Sequence, residues 1–273
     1  MHDIEYLVKR CGANGIYFSD EQFVPNKAIR NQLLDLIIES GLDFVWGCQM
    51  RLGVLKTEDI DYMFKAGCRW ILFGIESGSP EMIKKIKKGT DLSLAKPTID
   101  YCMKIGMTVQ ATFIIGFPDE TEDELRQTVD LAKQLSASLP VLNILTVLPN
   151  SEIYFNQVEN NPDYHPPKRI SDLIKFERTM TDNPSINLSK IPFVELKVIH
   201  HYFQWKDFSR KDSVVGDEFG VVKKLARDTF NRVFKHGLVG FFYGSYHSVK
   251  QFVTVFFYSH CFPSIIKKYG LNQ

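Results

Sequence analysis

The apolar positions of the chain fall into two alternating patterns. Short continuous runs at Ile16 to Ser19, Phe44 to Cys48, Trp70 to Ile75, Phe113 to Ile115 and Pro140 to Leu148 read as buried strands. Between them lie longer segments whose apolar residues recur three or four apart. Asn26 to Ser40 carries Ile29, Leu33, Leu36 and Ile37 at that spacing and stops at Gly41, which predicts an amphipathic helix. Further helices are predicted from Thr57, taken as an N-cap, to Gly67, over the basic run that begins at Pro80, from Leu94 to Ile105 with Pro97 in its first turns, and over TEDELRQTVDLAKQL from Thr121. Glu5 to Lys9 reads as the last turns of another helix, closed by CGANG, where glycine and asparagine can take left-handed dihedrals.

A strand followed by a helix, repeated along the chain, fits successive βα units of a parallel sheet. Right-handed crossovers would curl such a sheet into all or part of a barrel. Only five strands are visible, short of the eight of a closed barrel. Folds of this kind carry their chemistry where the strands end at their C-termini. Asp20 and Glu21 follow the first strand, Gln49 and Arg51 the second, Glu76, Ser77, Gly78 and Ser79 the third, and Gly116 to Thr121 the fourth. The adjacent acids fit either a ligand contact or a solvated turn. Lys84, Lys85, Lys87 and Lys88 are most simply a solvated helix face.

Beyond residue 155 the pattern weakens. Residues 156–190 hold Pro162, Pro166, Pro167 and Pro184 and read as a connector with a short helix near Ser171 to Glu177. In residues 191–273, Ile191 to Phe208 and Gly216 to His236 read as helices, the second with Val221, Val222, Leu225, Phe230 and Phe234 on its apolar face. The tail from Gly237 to Ile266 is apolar and aromatic, but Lys250 and Gln251 break it into stretches shorter than the ~20 residues of a membrane span. A packed helical region is its simplest reading; a peripheral membrane contact or a wall for an apolar substrate is the sharper one. The first 155 residues therefore form the βα core, followed by connector and helical region.

Composition is that of an ordinary globular chain, 44% hydrophobic and 24% charged. Its 33 basic and 32 acidic residues give a net charge of +1, so electrostatics offer no reason to expect a nucleic-acid partner. The five cysteines, Cys11, Cys48, Cys68, Cys102 and Cys261, are widely spaced and outline neither a disulfide framework nor a short metal-ligand motif. The N-terminus is not a signal peptide, and a reducing cytoplasm is the default location.

Taken together, YFSDEQF at Tyr17 to Phe23, WGCQMR at Trp46 to Arg51, AGCRWILFGIESGS at Ala66 to Ser79 and TFIIGFPDET at Thr112 to Thr121 resemble, in order and spacing, the core of the radical S-adenosylmethionine (SAM) superfamily. They are most similar to its cobalamin-binding subclass of methyltransferases and ring-forming cyclases. The resemblance covers roughly Met1 to Pro149. It implies a TIM-like partial (βα)₆ barrel, here without its first strand, with a [4Fe-4S] cluster and SAM at the C-terminal mouth and cobalamin on an N-terminal domain. In that family the cluster reduces the sulfonium and releases a 5′-deoxyadenosyl radical, which abstracts hydrogen or, with cobalamin, supports methyl transfer. Carried over residue by residue, Asp20 and Glu21 face the amino group of the SAM methionine and Arg51 its carboxylate. Glu76 and Ser77 face the ribose or the methionine, and Ile114, Ile115 and Gly116 pack on adenine.

One departure qualifies the match. The superfamily's CxxxCxxC loop, whose three thiolates bind three irons, has no counterpart in this chain. Cys48 and Cys68 fall on different strands and read as small buried thiols. The resemblance places the cluster loop upstream of Met1, so the chain reads as the C-terminal part of a longer radical SAM enzyme that acts on a small-molecule or lipid-like substrate and needs an N-terminal segment or partner protein. The alternative is a degenerate barrel that binds SAM or a partner without chemistry.

Overall fold

In the computed structural model, the described residues are 1–135, 139–162, 164, 166, 169, 187–209, 257–258 and 261–271. The short apolar runs form β1 (Gly15–Phe18), β2 (Val45–Arg51), β3 (Cys68–Glu76), β4 (Thr108–Ile115) and β5 (Leu139–Ile144), which make one sheet in the order β1-β2-β3-β4-β5. Every pairing from β1 to β4 is parallel. The helices are α1 (His2–Lys9), α2 (Lys27–Glu39), α3 (Thr57–Lys65), α4 (Pro80–Lys85), α5 (Ala95–Lys104), α6 (Glu122–Gln134), α7 (Glu152–Asn160), α8 (Phe193–Ser209) and α9 (Pro263–Lys268). Successive strands thus alternate with helices, as the hydrophobic pattern predicts.

The chain forms two compact units. Met1–Phe113 and Asp123–Val141 make the first, Ile114–Glu122 and Leu142–Gln273 the second. In the first, the pleat assigns each strand residue to one of two faces. Ile71, Phe73 and Ile75 of β3 and Val109, Ala111 and Phe113 of β4 are wholly buried, while Leu72, Gly74, Glu76 and Thr112, of opposite parity, line a cavity. The register places Arg51 beside Gly74 and Gly74 beside Thr112, in one row across β2, β3 and β4.

Local differences from the predicted pattern have physical causes. Thr57 is the first residue of α3 and Lys56 its cap, because the Asp59 carboxylate accepts the Lys56 N–H at 3.1 Å. Asn26 caps α2 through bonds from Ala28 N and Ile29 N. That helix is turned in part from its predicted face: Ile37 is buried as expected, but Arg30 and Leu34 are buried with it, whereas Ile29 is 57% and Leu36 50% exposed. A helix α7 occupies the start of the expected connector, initiated by Ser151, whose hydroxyl accepts from Tyr154 N at 3.1 Å. β5 ends at Ile144, before the predicted Leu148. The predicted helices at Ser171–Glu177 and Gly216–His236, and nearly all of the aromatic tail, lie outside the described residues. Among the described residues no helix is long and apolar enough to cross a membrane.

In the second unit, α8 buries Leu196, Val198, Ile199 and Phe203. His200 and His201 share the side-chain amide of Gln204, and Lys268 pairs with Glu122 at 2.8 Å and Glu195 at 2.9 Å.

Candidate functional site

A cavity of about 470 Å³ opens in the first unit at the C-terminal ends of its strands. Its polar lining joins Glu21 after β1, Gln49 and Arg51 of β2, Glu76 of β3, Thr112 of β4 and Lys88 after α4. The acids come from two strand ends and the cations from two other segments, so opposite charges converge on one small volume. The Lys88 ammonium pairs with Glu76 at 2.6 Å, and Arg51 donates from its guanidinium to the Lys88 main-chain carbonyl. Gly74 leaves the space that the Glu76 side chain fills: a Cβ there would lie 2.8 Å from Glu76 Oε1.

Glu76 itself is held in a left-handed conformation, φ +69°. What holds it is the turn that follows. Ser77, fully buried, lies 3.0 Å from the Thr128 hydroxyl of α6 and accepts from Ser79 N at 3.1 Å, while Gly78 N donates to the same Thr128 oxygen at 3.0 Å. Ser79 in turn caps α4 by accepting from Met82 N. The hydroxyl of Ser77 is therefore engaged within the protein, on α6, and the residue is not part of the cavity wall. In this structure it helps to seat Glu76 through Thr128 and Ser79.

The other predicted residues divide similarly. Glu21, Arg51 and Glu76 meet at the cavity; Asp20 is exposed and outside its lining. Ile114, Ile115 and Gly116 belong to the second unit. There Ile115 and Gly116 are buried and Ile114 is half-buried. The Ile115 carbonyl accepts from Leu145 N at 2.8 Å, and Gly116, φ +86°, donates its N–H to the buried Glu120 carboxylate. The left-handed backbone there favours glycine, and a Cβ at Gly116 would also press on Leu196 Cδ1 at 3.0 Å. Lys88 is the residue the hydrophobic pattern misassigned. α4 stops at Lys85, and left-handed Lys87 and Gly89 turn the chain, so Lys88 leaves the helix face on which it was expected and enters the cavity.

Residues 2–132 match the model of the family described as the radical SAM superfamily. This segment belongs to that superfamily. An uncharacterised methyltransferase of Pyrococcus horikoshii is 30% identical over 161 residues, covering 59% of this chain and 35% of the relative. A bacteriochlorophyllide d C-12(1)-methyltransferase of Chlorobaculum tepidum is 27% identical, covering 42% of this chain and 25% of the relative. An anaerobic magnesium-protoporphyrin IX monomethyl ester cyclase of Rubrivivax gelatinosus is 24% identical, covering 56% and 28%. The chain thus spans a quarter to about a third of the length of these relatives. The fold matches the radical SAM methyltransferase TsrM of Kitasatospora setae, solved with cobalamin and a [4Fe-4S] cluster bound, with a TM-score of 0.53 at 20% identity over 58% of this chain and 30% of that one.

The described cysteines do not fit the radical SAM cluster. Cys48, Cys68 and Cys102 are buried in the core, and among the described residues no group of three Cys, His, Asp or Glu side chains can hold a metal ion. Burial, with Cys48 beside it, pushes the Cys68 thiol far above the ordinary thiol range, and burial pushes Cys102 up to about 12. The cavity, by contrast, fits the amino-acid end of SAM, since its acids accept from an ammonium and its cations donate to a carboxylate.

Proposed function

We propose that the chain is part of a radical SAM enzyme and that the cavity of its first unit receives the methionine end of SAM. The observation that carries this reading is the convergence of Glu21 and Glu76 with Arg51 and Lys88 on one volume of about 470 Å³. A zwitterion needs both signs within a few ångströms, and such a wall neutralises it without burying an unpaired charge. Glu21 and Glu76 take the ammonium; Arg51 and Lys88 take the carboxylate, with Arg51 also fixing the Lys88 main chain. Gln49 and Thr112 offer neutral hydrogen bonds beside them. SAM, when bound, supplies a transferable methyl or adenosyl group.

For the whole enzyme we infer methyl transfer or ring formation on an apolar organic substrate, with cobalamin and the cluster ligands supplied by a segment or protein outside this chain. The relatives named as bacteriochlorophyllide methyltransferase and protoporphyrin ester cyclase support that class. The test is calorimetric titration of the chain with S-adenosylhomocysteine, which carries the amino-acid end, and with 5′-methylthioadenosine, which lacks it. The expected result is at least about tenfold tighter binding of the first. Lys88→Met and Glu76→Gln should each erase that preference. Equal affinity for the two compounds would refute the assignment.

A further inference from the structure

α2 turns an arginine inward while two of its large aliphatic residues stay exposed. Arg30 is 1% exposed, against 57% for Ile29 and 50% for Leu36. Burying a guanidinium in place of an isoleucine is costly unless the charge is paired and hydrogen-bonded. Arg30 meets them at its two terminal nitrogens, while its buried Nε has no hydrogen-bond partner among the described residues. Its Nη2 lies 3.5 Å from Asp59 Oδ1 of α3, a carboxylate that also takes the Lys27 ammonium at 2.8 Å, and its Nη1 donates to the carbonyl of Val24 at 3.1 Å.

Val24 is the strained point of the loop between β1 and α2. Its φ of +29° is a conformation that β-branched residues rarely adopt. On its N-terminal side Phe23 is 1% exposed, its N–H bonded to the Gln49 carbonyl at 2.9 Å and its ring packed on Phe18 and Trp46 at 5.0 Å each. Just before Phe23 stand Glu21 and Gln22, which line the cavity. The loop is therefore anchored twice, by the Phe23 ring and by the guanidinium on the Val24 carbonyl, and the strain between those anchors persists only while both hold.

We propose that Arg30, braced by Asp59, is a positioning residue that fixes the β1–α2 loop so that Glu21 faces the cavity and selects ligands carrying an ammonium group. The inference rests on the cavity being an S-adenosyl site. Arg30 lies outside the cavity lining and acts through the Val24 carbonyl. Asp59 serves by holding the guanidinium in place, and Lys27 completes the charge balance at its carboxylate.

The test uses the full chain with Arg30→Met, which keeps the buried stem without the charge, and the isosteric Asp59→Asn. Amide hydrogen exchange at Phe23 should quicken by at least about tenfold in Arg30→Met, with core strands β3 and β4 unaffected. S-adenosylhomocysteine should bind about tenfold more weakly, while 5′-methylthioadenosine binding changes less than about twofold. Asp59→Asn should show the same selective pattern to a smaller degree, which keeps the test alive should Arg30→Met fold poorly. Unchanged exchange at Phe23 would overturn the proposal, as would an equal loss for both ligands, since a purely structural defect does not discriminate between them. Wild-type protein that binds neither compound sinks the S-adenosyl reading and with it the selectivity; the exchange result then decides the mechanical clamp by itself.

Discussion

Thr128→Val is the perturbation that most directly probes how Glu76 is seated. Thr128 Oγ1 makes three contacts: it donates to the Glu124 carbonyl one turn back at 3.1 Å, accepts from Gly78 N at 3.0 Å, and lies 3.0 Å from Ser77 Oγ. Because its own proton goes to Glu124, the Ser77 hydroxyl is the donor of that last pair, and Ser77 Oγ remains free to accept from Ser79 N. Valine keeps the shape and removes the acceptor. The Gly78 N–H is rigidly placed and loses its partner; the Ser77 proton loses its own but can rotate. An unsatisfied buried donor costs about 1–3 kcal/mol, and the added methyl returns about 0.8 kcal/mol, so a net loss of about 1 kcal/mol is expected. Thr128→Ser retains all three contacts and should stay within about 1 kcal/mol of wild type. Urea unfolding followed by circular dichroism measures both. A Thr128→Val midpoint equal to wild type would refute the reasoning. Gly78→Ala attacks the same contact sterically, since a Cβ would sit 2.7 Å from Thr128 Cα, and should cost about 3 kcal/mol because backbone cannot step aside. The two changes share one contact, so the double variant should lose less than their sum.

Three further outcomes follow from the same geometry. Gly74→Ala should leave stability nearly intact, because the Cβ meets only the flexible ends of Glu76 and Lys88, yet it should weaken S-adenosylhomocysteine by about tenfold in a binding titration by displacing the Glu76 carboxylate. Burial would raise the Asp59 carboxyl, but the Lys27 ammonium, the Lys56 N–H and Arg30 outweigh it and hold the group below the usual carboxylate range. Its stabilisation is therefore complete above the ordinary value of about 4 and fades as pH falls below it, so Asp59→Asn should flatten the acid limb of a stability-versus-pH curve below about pH 4. Native alkylation with iodoacetamide at pH 8 should label exposed Cys11 and Cys261 and spare Cys48, Cys68 and Cys102; labelling of Cys68 before Cys11 would contradict its burial and raised pKa.

Much of this site was legible because strand periodicity and turn chemistry act locally. The five strands and the acids and cation at their ends were visible as runs and breaks, and Glu21, Arg51 and Glu76 do meet at the cavity. The failures have one physical origin, which is that a side chain's direction depends on partners distant in sequence. Lys88 belongs to a lysine run that reads as a solvated face until the chain leaves α4 at Lys85 and reverses through two left-handed residues. Ser77 sits beside Glu76 in the sequence, but its hydroxyl bonds across 51 positions to Thr128. Arg30 is the sharpest case. Periodicity ranks Ile29 and Leu36 as the buried face of α2, and hydrophobicity alone would have kept them there. The helix instead presents its arginine, because the Asp59 carboxylate and the carbonyl of strained Val24 converge at one point and need a donor with more than one arm. Lysine, a point charge on a flexible stem, could not bridge both. The apolar area left outside on α2 is thus the structural counterpart of a loop held in place beside the cavity, and Arg30→Lys should release the Val24 carbonyl while keeping the charge.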